Sequence, residues 1–262
     1  MDRLQSAMDK ARAARAARQP AGATLQPGAE AWAALRRFTP DRAHLLRNRV
    51  LTLRGSSEAM PYDILRTRML KEMRAQGWRR VAVTSPSSGC GKTTLCANLA
   101  LSLARQTDQR TLLVEADMRR PTLAAMLGIA DAPQFSETLA GRANLTEHLL
   151  AIGLNLCLAV NRAAVPGAAE LLQSPGVPAV LERLERLLTP GLTLFDMPPM
   201  LRGDDTLGFL DQVDCALLVV EAEVTPVQDV EACERDLARH TNVMGVVLNK
   251  MRHAETAYGY GD

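Results

Sequence analysis

Aromatic side chains are scarce: two Trp, three Tyr and four Phe among 262 residues. A core in this chain must be filled by Leu, Val, Ala and Met, which suits a parallel sheet buried under helices on both faces. No apolar run approaches the ~20 residues that a membrane-spanning helix needs, and the N-terminus has no signal-peptide core. The five cysteines, Cys90, Cys96, Cys157, Cys215 and Cys233, never fall in a C-x-x-C spacing. A zinc ribbon and a disulfide framework are therefore not expected, and a reduced cytoplasmic protein is.

Net charge is small, +2, but unevenly spread. Residues 1–54 hold eleven Lys and Arg against Asp2, Asp9, Glu30 and Asp41, while the remaining 208 residues carry a net of −5. The basic character thus belongs to an N-terminal arm. Met1 to Gln19 reads as an Ala- and Arg-rich helix with Leu4, Ala7, Met8 and Ala11 as a thin apolar stripe, and Pro20 to Pro27 as a linker. Such an arm suits an anionic membrane surface, an acidic partner or nucleic acid, or it is simply a solvated segment. Between residues 29 and 54, apolar residues from Trp32 to Leu51 alternate with basic ones, which predicts a short helix and an extended segment packed on the main body.

The organising stretch is Ser85-Pro86-Ser87-Ser88-Gly89-Cys90-Gly91-Lys92-Thr93-Thr94. The apolar strand Val81-Ala82-Val83-Thr84 precedes it, and a helix with one apolar face, Leu95 to Ala104, follows. Strand, glycine loop, Gly-Lys-Thr and helix together predict a phosphate-binding loop, although Pro86 stands where the full pattern has its first glycine. In such a loop Gly89 and Gly91 let backbone N–H groups approach an anion. Ser88, Gly89, Cys90, Gly91, Lys92, Thr93 and Thr94 are the expected nucleotide contacts. Lys92 would reach the β- and γ-phosphates, and the Thr93 hydroxyl would ligate Mg²⁺.

Further apolar strands are expected at 111–115, 156–160, 192–196, 215–220 and 243–248. Helices are expected at about 61–76, 121–128, 168–188 with a break near Pro175–Pro178, 204–211 and 226–240. The alternation predicts an α/β, doubly wound, mostly parallel sheet with its ligand at the carboxyl ends of the strands. Three strands end in polar groups: Glu115-Ala116-Asp117, then Asp196 before Met197-Pro198-Pro199, and Asn249. Burying such ends requires partners, and Mg²⁺ with phosphates would supply them. Asp196 reads as a Walker B carboxylate and Asn249 as an amide for a base edge. The plainer alternatives are an ion-paired strand end, a turn residue and a cap.

Lys92-Thr93-Thr94, Leu112 to Pro121 and Leu194-Phe195-Asp196-Met197-Pro198-Pro199 resemble the bacterial tyrosine kinases of polysaccharide export (the BY-kinases, CpsD/CapB-type), built on a MinD/ParA-like P-loop fold. The likeness covers about residues 56–262. Its second-strand motif, three apolar residues then Asp-x-Asp-x-Arg, is matched at Asp117 and Arg119, with Glu115 in the first acidic place. The second loop lysine of the MinD/ParA branch is absent, Ser87 standing there, which favours the kinase branch. The resemblance implies ATP and Mg²⁺ as cofactors, with Asp117, Lys92 and Arg119 catalytic, Thr93, Asp117 and Asp196 at the metal, and Asp117 as the base for a tyrosine hydroxyl. It also implies acceptor tyrosines in a C-terminal tail, here Tyr258 and Tyr260, two of only three tyrosines.

The organisation expected is a basic arm at 1–54, an ATP-binding kinase-like domain at 55–252 and a flexible tyrosine-bearing tail at 253–262. The family's ring-forming E-x-x-R-x-x-R helix is kept only at Arg66, with Asp63 and Met60 in the other places. The implied function is a protein-tyrosine autokinase in exopolysaccharide or capsule synthesis and export, homo-oligomeric and drawn to the inner face of the membrane by a separate chain-length-determinant-like activator. The alternative is a non-kinase ATPase switch in the same machinery. Nucleic acid is not the expected partner. Cys90, beside Lys92 at a helix start, reads either as a loop filler or as a redox-sensitive thiol.

Overall fold

The computed structural model describes residues 28–251. The expected N-terminal helix and linker and the tail with Tyr258 and Tyr260 lie outside the described residues. Eight strands form one sheet. They are β1 (Arg36–Arg37), β2 (Arg80–Thr84), β3 (Thr111–Glu115), β4 (Leu150–Ile152), β5 (Leu156–Ala159), β6 (Leu192–Asp196), β7 (Cys215–Glu221) and β8 (Asn242–Asn249). Their order is β1-β4-β5-β3-β6-β2-β7-β8, and every pairing is parallel except β4 with β5. Strands β2, β3, β5 and β6 are apolar runs, buried on both faces as covering helices require.

Two packed layers enclose the sheet. On one face lie α1 (Ala29–Ala34), α6 (Phe135–Leu139), α7 (Ala168–Leu172), α8 (Val177–Leu188) and α9 (Val227–His240). On the other lie α2 (Arg42–Arg47), α3 (Met60–Gln76), α4 (Lys92–Ala104) and α5 (Leu123–Leu127). The expected break between α7 and α8 falls at Ser174-Pro175-Gly176, and Pro178 sits in the first turn of α8, where its missing N–H costs nothing.

Helix α4 differs from its reading as a one-faced amphipathic helix, because all nine residues from Leu95 to Leu103 are buried. Its outer side is covered by α3 and by chain from the segment assigned to the basic arm. Asn98 holds that cover in place: its Oδ1 accepts from Leu51 N (2.7 Å), its Nδ2 donates to Arg49 O (3.0 Å), and Thr52 Oγ1 donates to Asn98 O (2.6 Å). On the opposite face Trp32, 2% exposed, donates from Nε1 to Leu188 O. The packed body therefore reaches back to α1, well before residue 55.

Asp63, in the middle place of the family's ring-forming motif, is drawn inward. It pairs with Arg105 (2.5 Å) and Arg66 (3.3 Å) and accepts from Ser102 Oγ, tying α3 to α4. Burial opposes its ionised form, but Arg105, Ser102 and Arg66 together outweigh it and hold the carboxyl below its usual range. The helix expected at 204–211 is instead a turn followed by a 3₁₀ segment, Leu207–Gln212. Its would-be first turn is taken: the Asp205 side chain binds Arg119, and Thr206 Oγ1 donates to Pro198 O (2.7 Å).

Candidate active site

Strand β2 leads directly into the phosphate loop, and α4 leaves it. Within the loop only Gly89 and Gly91 take a positive φ, +92° each. At Gly91 a side chain would also collide with the Asn249 amide. Position 86 needs no such conformation, which is why Pro replaces the usual first glycine without strain. The loop base is fastened to the chain leaving β6: Thr84 Oγ1 donates to Pro198 O (2.8 Å), Met200 N to Ser85 O (2.8 Å) and Leu201 N to Pro86 O (3.1 Å).

Strand pairing then brings the acidic residues to Lys92. Beyond β3, Ala116 N and Asp117 N both donate to Asp196 O (2.9 Å each), which sets the two strand ends side by side. Lys92 Nζ lies 2.9 Å from Asp117 Oδ2, with both side chains about nine-tenths buried. Burial works against the charged lysine, yet Asp196 and Asp117 more than offset it, so the Lys92 pKa is raised. Asp196 is 1% exposed, and neither of its carboxylate oxygens has a hydrogen-bond partner. Burial lifts its pKa to about 6, opposed by Lys92 and by the nearby Thr93 hydroxyl and Cys96 thiol, which close no hydrogen bond of ordinary geometry.

A buried carboxylate with two unused oxygens beside a threonine hydroxyl fits a hard cation. Among the described residues no group of three or more His, Cys, Asp or Glu side chains could hold a metal alone. That suits Mg²⁺, which takes one or two protein oxygens and completes its shell with water and phosphates. Thr93 and Asp196 are the residues that would hold it, with Asp117 adjacent but paired to Lys92.

Most of the expected contacts converge. Ser88, Gly89, Gly91, Lys92, Thr93, Thr94 and Asp117 line one cleft at the N-terminus of α4, joined by Arg120 and Thr122. Two expected contacts are engaged within the protein. The Cys90 side chain does not face the cleft; it is buried against Ser87 O (3.3 Å) and Thr225. The Asn249 Nδ2 donates to Cys90 O (2.8 Å), clamping the loop from β8.

Glu115 takes no part in the cleft. Its Oε1 accepts from Thr122 N (2.6 Å) and Leu123 N (2.7 Å), and Oε2 from Asn161 N (2.8 Å), so it caps α5 and anchors the end of β5. Arg119, expected to be catalytic, is half-exposed and held through Nε on both oxygens of Asp205 (2.8 and 3.0 Å), which raises its pKa. It lines a second cavity of about 440 Å³ that adjoins the cleft and shares Ser88, Asp117 and Arg120 with it. Sequence reasoning did not single out Arg120 or Arg202. Their only signal was a position beside the Asp117 and Pro-Pro motifs.

Residues 81–258 match the CobQ/CobB/MinD/ParA nucleotide-binding domain. The tyrosine-protein kinase Wzc of Salmonella typhi is 31% identical over 67% of this chain, which spans only 24% of Wzc. The tyrosine-protein kinase CpsD of Streptococcus pneumoniae serotype 4 is 29% identical over 68% of the chain and 79% of CpsD. The chain thus spans about a quarter of the length of the large relatives and most of the small ones. Among solved structures, the kinase domain of the Escherichia coli tyrosine kinase ETK superposes with a TM-score of 0.68 at 27% identity, covering 79% of this chain and 81% of that domain. The chain belongs to the CobQ/CobB/MinD/ParA family of nucleotide-binding domains, and the relatives and the solved domain it resembles here are bacterial tyrosine kinases.

Proposed function

We propose that the chain is an ATP-dependent protein-tyrosine autokinase acting in exopolysaccharide or capsule synthesis and export. The observation that carries this reading is the buried Lys92–Asp117 pair beside an unsatisfied Asp196, open through Asp117 to a second cavity where an acceptor side chain can enter. A nucleotide store or a simple phosphate sensor has no use for a carboxylate facing a neighbouring groove.

In this reading the loop N–H groups and the α4 N-terminus hold the β- and γ-phosphates. Lys92 exchanges Asp117 for phosphate oxygens when nucleotide arrives, which frees Asp117. Thr93 and Asp196 hold Mg²⁺, which when bound neutralises charge on the transferring group. Asp117 then takes the proton of a tyrosine hydroxyl as the phenolic oxygen bonds to the γ-phosphorus and the bond to the β,γ-bridging oxygen breaks, releasing ADP. Acceptors are Tyr258 and Tyr260 of a neighbouring copy, brought close in a homo-oligomer. A separate membrane activator recruits the protein to the inner face of the membrane. No helix among the described residues is long and apolar enough to cross a membrane.

Purified protein given Mg·ATP is expected to acquire phosphotyrosine, and Asp117→Asn to lose it by at least about 100-fold, the usual contribution of a general base, while still binding nucleotide. Phosphotyrosine absent from the wild type under every condition, with ATP hydrolysis intact, would replace the kinase by an ATPase switch.

A further inference from the structure

The second cavity has a charge of its own. Two carboxylates line it, and both are already engaged: Asp117 by Lys92 at 2.9 Å, and Asp205 by Arg119 at 2.8 Å. Asp204 and Glu170 reinforce the charged form of Arg119 but do not line the cavity. That leaves the guanidinium groups of Arg120 and Arg202. Both are exposed, and neither side chain makes an ion pair or hydrogen bond within the described residues. Pro198 and Pro199, both buried, line the groove beside them. The groove that receives the acceptor therefore carries two uncompensated positive charges beside two buried prolines.

Such a groove suits an acceptor tyrosine with a carboxylate close by in sequence. Arginine is the side chain best fitted to bind that carboxylate in a fork. We propose that this groove selects acidic acceptor peptides, with Arg202 and Arg120 binding an Asp or Glu flanking the tyrosine. The proposal rests on the kinase reading above and adds its substrate class. Arg120 also lines the phosphate cleft, so its removal would mix two effects. Arg202 lines only the groove and is the cleaner probe of specificity.

The test uses the full-length protein with a peptide of residues 252–262, which carries Glu255 and Asp262, and a copy bearing Glu255→Lys and Asp262→Lys. Wild type is expected to favour the acidic peptide by on the order of tenfold in kcat/KM, mostly through KM. Arg202→Glu should reverse that preference, and Arg202→Lys, which keeps the charge but loses the fork, should keep only part of it. Anisotropy of the same labelled peptides, with nucleotide affinity measured alongside, reads the groove without phosphoryl transfer.

Acidic-peptide binding that Arg202→Glu abolishes, even with no phosphotyrosine formed, would support the groove and refute the kinase. Phosphorylation of both peptides at one rate, unchanged by Arg202→Glu, would overturn the groove and leave the kinase standing. Acidic-peptide binding that is insensitive to Arg202→Glu would likewise overturn it.

Discussion

One methylene decides what Glu115 does. An aspartate there would end close to its own backbone, whereas the longer side chain reaches Thr122 N, Leu123 N and Asn161 N and becomes a strut between β3, α5 and β5. Glu115→Asp should lose part of that bridging and cost about 2 kcal/mol in urea unfolding. Burial raises the Glu115 pKa to about 7 from an ordinary 4.5, against the pull of its N–H donors and with added push from Asp196. A carboxyl raised in the fold holds its proton more tightly folded than unfolded, so its stabilising contribution is complete below pH 4.5 and fades as pH climbs to 7. From this group the nucleotide-free protein should lose up to about 3 kcal/mol across that window, with Asp196, raised to about 6, adding a slope of the same sign. Unfolding at pH 5 and 7.5 should show a smaller difference for Glu115→Gln than for wild type; an equal difference would exclude this carboxyl as a source. The carboxylate itself was legible in the sequence, but its role was not, because three donors from distant segments define it.

At the scale of elements, long apolar runs announced themselves and short or borrowed ones did not. Strands β2, β3, β5, β6, β7 and β8 fall where their Val- and Leu-rich runs predict. Strands β1 and β4, of two and three residues, are too short to show a period, and the sheet edge alone makes them strands. Burial of α4 on its outer side was equally hidden, since it depends on the hydrogen bonds of Asn98 to Arg49 and Leu51. Asn98→Ala would strand Leu51 N and loosen the 49–52 segment, with an expected loss of about 2–3 kcal/mol and faster amide exchange in that segment before the sheet opens. Exchange that rises evenly across the molecule would contradict a local staple. The Walker-type order of loop, Asp117 and Asp196 was legible because parallel strands deliver their carboxyl ends to one edge. The clamp that Asn249 makes on the loop was not legible, because an amide at a strand end serves loop and ligand equally well.

For the whole molecule, the sheet sets a phosphate loop, two acidic strand ends and an arginine-lined groove along one edge. Both acidic groups depend on Lys92 for compensation. Lys92→Met should therefore weaken folding by about 3 kcal/mol as well as abolish activity, and the loss should shrink if Asp117→Asn is added. The central claim is phosphoryl transfer to tyrosine, and the chain offers only Tyr62, Tyr258 and Tyr260 as acceptors. Mapping phosphate by mass spectrometry on the purified protein after Mg·ATP, beside a folded Lys92→Met variant and Tyr258→Phe/Tyr260→Phe, tests it most directly. The account predicts phosphate on Tyr258 and Tyr260 in the wild type and on neither variant. Unmodified tyrosines in the wild type while ADP accumulates would contradict it.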